Sequence, residues 1–232
     1  MTPRTALLTG ASRGLGRALA TALSARGWRL VVDGRDGARL AAAVAALPSP
    51  DLVTAVAGDV ADPAHRAALA AAVPGRLDLL VNNASDLGPT PLPALADLPP
   101  AALERVLAVN TVAPLALLQA VLPALERAGG RVLDISSDAA VEAYPGWGGY
   151  GASKAALDQL TAVLAVELPD LRVYAVDPGD MATDMHRAAD PDATGLPDPA
   201  VVVPALLRLV DGGLPSGRYR AANLAVRAEA VR

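Results

Sequence analysis

The sequence predicts an α/β fold: a doubly wound parallel sheet of about seven strands, flanked by helices on both faces. Three observations carry this expectation. Short apolar runs alternate with longer Ala/Leu-rich segments, the pattern of βαβ units. Several of those runs are near-continuous Leu and Val, which suits strands covered by helices on both faces. The chain has 232 residues, 53% hydrophobic and 19% charged, enough to bury one large core.

In chain order, strands are expected at Thr5–Thr9, Arg29–Asp33, Leu52–Ala57, Leu77–Asn82, Arg131–Ser136 and Arg172–Asp177, with a shorter one near Arg218–Ala221. Helical spacing of apolar residues occupies Gly16–Ala25, Asp36–Leu47, Pro63–Val73, Pro100–Ala128 and Tyr150–Leu168. Asp62-Pro63 and Asp198-Pro199 read as an N-cap followed by Pro at the first helical position. Pro204 should kink the last helix or delay its start. No solenoid-type repeat and no linker divides the chain, so residues 1–232 read as a single domain. The Pro/Gly-rich stretch Asp184–Pro199 reads as a long loop, and such loops inside a compact domain are usually functional or mobile.

Composition narrows the chemistry. There is no cysteine, which excludes disulfides and thiolate catalysis. The two histidines, His65 and His186, lie far apart in sequence, so no metal site is expected. A net charge of −4 gives no sign of a nucleic-acid or anionic-membrane surface. The N-terminus lacks an apolar run with a small-residue cleavage site, and Pro, Gly or charge interrupts the long apolar stretches. A cytoplasmic protein without a membrane span is expected.

Thr9-Gly10-Ala11-Ser12-Arg13-Gly14-Leu15-Gly16 follows a strand and opens a helix. Glycines let the backbone turn sharply and approach a ligand. The helix N-terminus then offers unbonded N–H groups and the positive end of its dipole to a phosphate. A strand–helix turn that merely needs glycine is the bland alternative. Tyr150 and Lys154 lie four residues apart, so on a helix their side chains share one face. Gly151, Ala152 and Ser153 between them are small and leave room for a ligand. Tyr-x-x-x-Lys alone is weak, because it occurs often by chance.

Taken together, the motifs are specific. The glycine turn, Asn82-Asn83-Ala84, Tyr150-x-x-x-Lys154 and Pro178-Gly179 resemble, in order, the motifs of the short-chain dehydrogenase/reductase family. The resemblance covers roughly residues 5 to 185. It implies a Rossmann-type dinucleotide-binding and catalytic domain. The implied activity is hydride transfer between a nicotinamide cofactor and a carbonyl or secondary alcohol. It also implies a homodimer or homotetramer paired through the helices at Pro100–Ala128 and Tyr150–Leu168.

Carried over residue by residue, the resemblance makes Tyr150 the acid/base and Lys154 its ammonium neighbour. An ammonium together with an oxidised nicotinamide would lower the phenol, whose ordinary value near 10 makes it a poor base. Ser137, thirteen residues before Tyr150, would hydrogen-bond the substrate carbonyl. Asn110 would interrupt its helix and hold a relay water. Gly10, Ser12, Gly14, Leu15 and Gly16 would cradle the cofactor phosphates. Asp59 would bond the adenine and Val60 pack on it, although Asp59 is equally readable as a turn residue. Asn82, Asn83 and Ala84 would border the cofactor; Ser85 stands where the family usually has glycine. Pro178-Gly179 would cover the nicotinamide, with Thr183 reaching its carboxamide or the pyrophosphate. The stretch 184–199 would be a substrate lid containing Met185 and His186, the latter read as a solvated loop residue. Trp147 would either wall the substrate pocket or anchor the core.

The choice of cofactor rests on opposed charges. Arg13 and Arg35 match family positions that contact the 2′-phosphate of NADP, and two guanidiniums suit a phosphate. The NAD-selecting acid of the family falls at Gly34. Asp33 complicates this, because a carboxylate facing the ribose would repel that phosphate. NADP is expected, with NAD possible. Two other readings use the same fold: a non-catalytic dinucleotide sensor, and a non-redox lyase or epimerase.

Overall fold

The computed structural model describes residues 3–226; the outermost residues of the 1–232 span lie outside that range. The strands are β1 (Thr5–Leu8), β2 (Arg29–Gly34), β3 (Val53–Ala57), β4 (Leu79–Asn82), β5 (Arg131–Ile135), β6 (Arg172–Asp177) and β7 (Gly217–Arg220). They form one parallel sheet in the order β3-β2-β1-β4-β5-β6-β7. This is the Rossmann-type doubly wound sheet that the alternating pattern predicts.

The helices are α1 (Gly14–Ala25), α2 (Gly37–Ala45), α3 (Pro63–Ala72), α4 (Pro100–Leu107), α5 (Ala113–Glu126), α6 (Gly148–Glu167), α7 (Asp184–Ala189), α8 (Val203–Asp211) and α9 (Ala221–Val226). The strand pleat divides the buried residues between two cores. Leu8, Leu30, Val32 and Val81 pack with Leu19 and Leu23 of α1 and Leu206 of α8. Leu7, Val31, Leu80 and Val132 point the other way, onto Leu69 of α3 and Leu117 and Val121 of α5. Both faces of each central strand are therefore apolar, which explains the unbroken Leu/Val runs.

Two segments differ from the sequence expectation. The stretch Pro100–Ala128 is helical to Glu126 but widens into a π-turn at Ala108–Val112, with Asn110 at its centre. By length and apolarity Pro100–Glu126 would pass for a bilayer span, yet half of its most apolar window is buried in the fold. The stretch 184–199 is not wholly a loop. Thr183 accepts the His186 N–H and caps α7, whose first turn holds Asp184. Asp198 caps a short 3-10 turn, Pro199–Val201, and Pro204 falls in the first turn of α8, so it delays that helix rather than kinking it.

Strand order reverses direction between β1 and β4, which part at their carboxyl ends. Ligands of open α/β sheets bind at that crevice. Here β1 ends in the glycine turn and β4 in Asn82-Asn83-Ala84.

Candidate active site

A cavity of about 830 Å³ opens at the carboxyl edge of the sheet. That volume lies within the range of small-molecule and cofactor sites. It runs from the glycine turn and the end of β2, past the ends of β4 and β5, to Tyr150, Lys154 and the segment after β6.

At one end, the turn is shaped by its glycines and by Asn83. Gly10 (φ 69°) and Gly14 (φ 54°) occupy the left-handed region that favours glycine. Asn83 Nδ2 donates to the carbonyls of Thr9 (2.9 Å) and Gly10 (3.2 Å), tying the β4 end to the turn. Gly16 backs the turn rather than lining the cavity. A Cβ there would stand 2.3 Å from the Gly10 carbonyl oxygen. Asn82 also departs from its expected place. Its amide is buried and donates to Asp134 (2.7 Å), so it braces β5. Of the expected cofactor contacts, Gly10, Ser12, Arg13, Gly14, Leu15, Val60, Asn83, Ala84, Pro178, Gly179 and Thr183 do line the cavity.

The charged residues at this end are arranged unevenly. Arg35 lines the cavity and carries no ion pair among the described residues. Arg39, in the first turn of α2, lines it too and escaped the sequence reading. Arg13 is not unpaired: its guanidinium holds Asp184 of α7 at 2.9 Å. Gly34 is packed against Ser12, whose Oγ would lie 3.1 Å from an added Cβ, so an acidic side chain at 34 would be crowded. Asp33 does not take the ribose-facing orientation considered from the sequence. It points with Val31 toward α3, where Oδ1 accepts the Gly10 N–H and Oδ2 meets His65. Asp59 forms both a turn and an ion pair: it accepts the Ala61 N–H and binds Arg105 of α4 at 2.5 Å. Burial raises its carboxyl, but the Ala61 N–H and Arg105 outweigh that and hold it below its ordinary value.

At the other end, α6 begins two residues before Tyr150, so the phenol stands in the first helical turn, with Lys154 one turn further on the same face. Both are buried. Lys154 Nζ donates to the Ile135 carbonyl (2.7 Å) and lies 5.5 Å from the Tyr150 ring centroid. Burial pushes Lys154 down to about 8, against the pull of Asp134 and Asp158. Burial also pushes Tyr150 up to about 12; Asp138 and Asp177 add to this, and Ser85 and Ser137 oppose it. The sequence reading had the ammonium and an oxidised nicotinamide drawing the phenol down. In the protein alone burial dominates and moves the phenol the other way, and Tyr150 is protonated at neutral pH as an unshifted phenol is.

Ser137 lines the cavity beside Tyr150, but its hydroxyl donates to Asp138 Oδ1 (3.0 Å). Asp138 also accepts the Tyr144 hydroxyl (3.0 Å). Asn110 is buried, and its amide is fully engaged. Oδ1 accepts the Asp86 N–H (2.7 Å), and Nδ2 donates to the Asp86 carbonyl and Ser153 Oγ. Ser85 bonds Asn110 Oδ1 at 3.2 Å, which places this departure from the family pattern inside the constellation. Trp147 lines the cavity, only partly buried, and packs edge-on against Tyr150, so it walls the pocket and is not a buried anchor. Sequence spacing carries no signal for Arg105, whose partner Asp59 lies forty-six positions away.

The charge on Asp138 gives a pH prediction. Its carboxylate raises the phenol of Tyr150. Asp138→Asn removes that charge, so Tyr150 should ionise at lower pH. Were Tyr150 the proton donor to a carbonyl, the alkaline limb of kcat/KM would move to lower pH in the variant. An unmoved limb in a pH–rate profile would show that Asp138 does not act on Tyr150.

Comparison with known proteins agrees with this geometry. The family model for short chain dehydrogenases matches residues 4–194. The short chain dehydrogenase asqE of Emericella nidulans is 39% identical over 176 residues, covering 71% of this chain and 64% of that protein. A rhamnolipid-biosynthesis 3-oxoacyl-(acyl-carrier-protein) reductase of Pseudomonas aeruginosa is 35% identical, covering 82% of this chain and 78% of that one. A Shigella flexneri structure described as a short chain dehydrogenase complexed with NADP superposes with a TM-score of 0.85 at 27% identity. It covers 96% of this chain and 98% of that one. The chain belongs to the short-chain dehydrogenase/reductase family of oxidoreductases. It spans just under two thirds of the length of the Emericella relative.

Proposed function

We propose that this protein is an NADP(H)-dependent carbonyl reductase with Tyr150 as its catalytic acid. The observation that carries this is the continuity of one cavity, which has a glycine cradle and arginines at one end and the buried Tyr150–Lys154 pair at the other. The residues fit a phosphorylated dinucleotide. The positive-φ glycines leave space at the N-terminus of α1 that side chains would fill. Arg35 and Arg39 border the cavity where a 2′-phosphate would lie, with Arg13 nearby. The NADP complex of the Shigella neighbour supports the same cofactor.

When bound, the cofactor supplies the hydride. The chain orients the carbonyl and handles the proton. Tyr150, protonated at neutral pH, donates to the carbonyl oxygen as that oxygen gains charge. Ser137 bonds the same oxygen once its hydroxyl turns from Asp138. Lys154 resupplies the phenol from the interior. Because the Asn110 amide is engaged, a relay water there takes a backbone carbonyl loosened by the π-turn. Residues 184–199, led by α7, cover the substrate as a lid, with Met185 and Ala189 on its apolar inner side.

A panel of ketones and aldehydes with NADPH, read as loss of reduced-cofactor absorbance, tests the reading. Turnover of at least one supports it. Binding of NADPH with no turnover across the panel favours the sensor alternative. Arg35→Ala should weaken NADPH binding about tenfold while leaving NADH nearly unchanged, the loss of one charge-assisted phosphate contact. An equal loss for both cofactors would reject its phosphate role.

A further inference from the structure

Beneath the glycine turn, a buried Asp33–His65 pair lies outside the proposed mechanism. Both side chains are almost fully enclosed, with Asp33 1% and His65 7% exposed. The Asp33 carboxylate is held on both oxygens. Oδ1 accepts the Gly10 N–H at 2.5 Å, and Oδ2 lies 3.1 Å from His65 Nε2. An ionised carboxylate only accepts, so His65 Nε2 carries the proton between them. The imidazole is itself confined. A Cβ at position 58 would stand 2.3 Å from its Nδ1, so only glycine leaves the ring its place.

Asp33 is nevertheless a wall residue of the cavity. Its χ1 has staggered alternatives, and turning about that bond would carry the carboxylate from α3 toward the cleft. Left without His65, the carboxylate would be buried with one donor. A buried charge short of partners is costly, and the cleft offers water and ribose hydroxyls instead.

We propose that His65 is a selectivity-determining positioning residue: by bonding Asp33 it keeps that carboxylate out of the ribose end of the cleft, so that a 2′-phosphorylated dinucleotide is accepted. The proposal rests on the dinucleotide reading above. It explains how a chain can carry an acid at the end of β2 and still present Arg35 and Arg39 to a phosphate. A carboxylate released into the cleft would repel the 2′-phosphate and accept hydrogen bonds from an unphosphorylated ribose. Selectivity would then turn toward NADH.

The test is a binding titration of the full-length protein with NADPH and with NADH, separately. His65→Leu should lower the ratio of NADPH to NADH affinity by roughly tenfold or more. His65→Gln, which keeps a donor near the Nε2 position, should hold the ratio near wild type. Asp33→Asn placed in the His65→Leu background should restore it, since the repelling charge is gone. A purely structural His65 would lose both affinities equally and would show no restoration in the double variant; either result overturns the proposal. If the wild type binds neither dinucleotide, the functional reading itself falls, and this inference with it.

Discussion

Tyr150→Phe should lower kcat by about 10²–10⁴-fold while leaving NADPH affinity near wild type. The substitution keeps the ring. Leu87, Ala139 and Trp147 pack on that ring, so the apolar wall of the cavity survives. What is lost is the phenol hydroxyl that lines the cavity with Ser137. At neutral pH the phenol carries its proton, as an unshifted phenol does, so it has one to give to a carbonyl oxygen. Lys154 Nζ bonds the Ile135 carbonyl and stands 5.5 Å from the Tyr150 ring centroid, so it does not occupy the place of the phenol hydroxyl. Steady-state kinetics paired with a cofactor titration separates the two effects. Turnover close to wild type in a folded Tyr150→Phe protein would remove Tyr150 from the mechanism.

Gly16→Ala should weaken cofactor binding without unfolding the chain. The added methyl would meet the Gly10 carbonyl oxygen at 2.3 Å and Asn83 Nδ2 at 2.5 Å. Neither can swing aside as a flexible side-chain end would. The Gly10 carbonyl is backbone, and Asn83 is fixed by its bonds to Thr9 and Gly10. Overpacking of this kind costs about 1–3 kcal/mol. Its relief lies in distorting the turn that shapes the phosphate cradle. A loss of roughly 10- to 100-fold in NADPH affinity is expected, with a modest fall in Tm. Gly213→Ala, where an added Cβ meets nothing within 4 Å, is the control and should change neither quantity. Normal NADPH binding by Gly16→Ala would mean that the cradle lies elsewhere.

The sheet was readable because its signal is local. Leu and Val runs bounded by glycine and charge placed every strand to within two residues. Caps at Asp62 and Asp198 likewise reveal themselves in two letters, Asp-Pro. Helix α7 was readable in principle: Thr183 followed by Asp184 is a cap with an acidic first turn. The density of Pro and Gly around it pointed to a loop instead. The π-turn at Asn110 is invisible to periodicity, since the apolar stripe runs on through it.

The site divides in the same way. Tyr150 and Lys154 are neighbours on one helix, so spacing alone brings them together. The facing of Asp33 depends on strand alternation, where one residue of register reverses the side chain. Its partner His65 comes from another element, thirty-two positions away. The Arg13–Asp184 and Arg105–Asp59 pairs also join distant segments, and the sequence carries no local trace of them. The phenol's upward shift is a product of burial, which only the assembled fold determines.

The most direct test of the account is a fluorescence titration of the purified wild-type protein with NADPH and with NADH. Saturable binding of both is expected, with NADPH clearly tighter, because Arg35 and Arg39 border the cleft while the Asp33 carboxylate is held by His65. Tighter binding of NADH, or no binding of either, would contradict it.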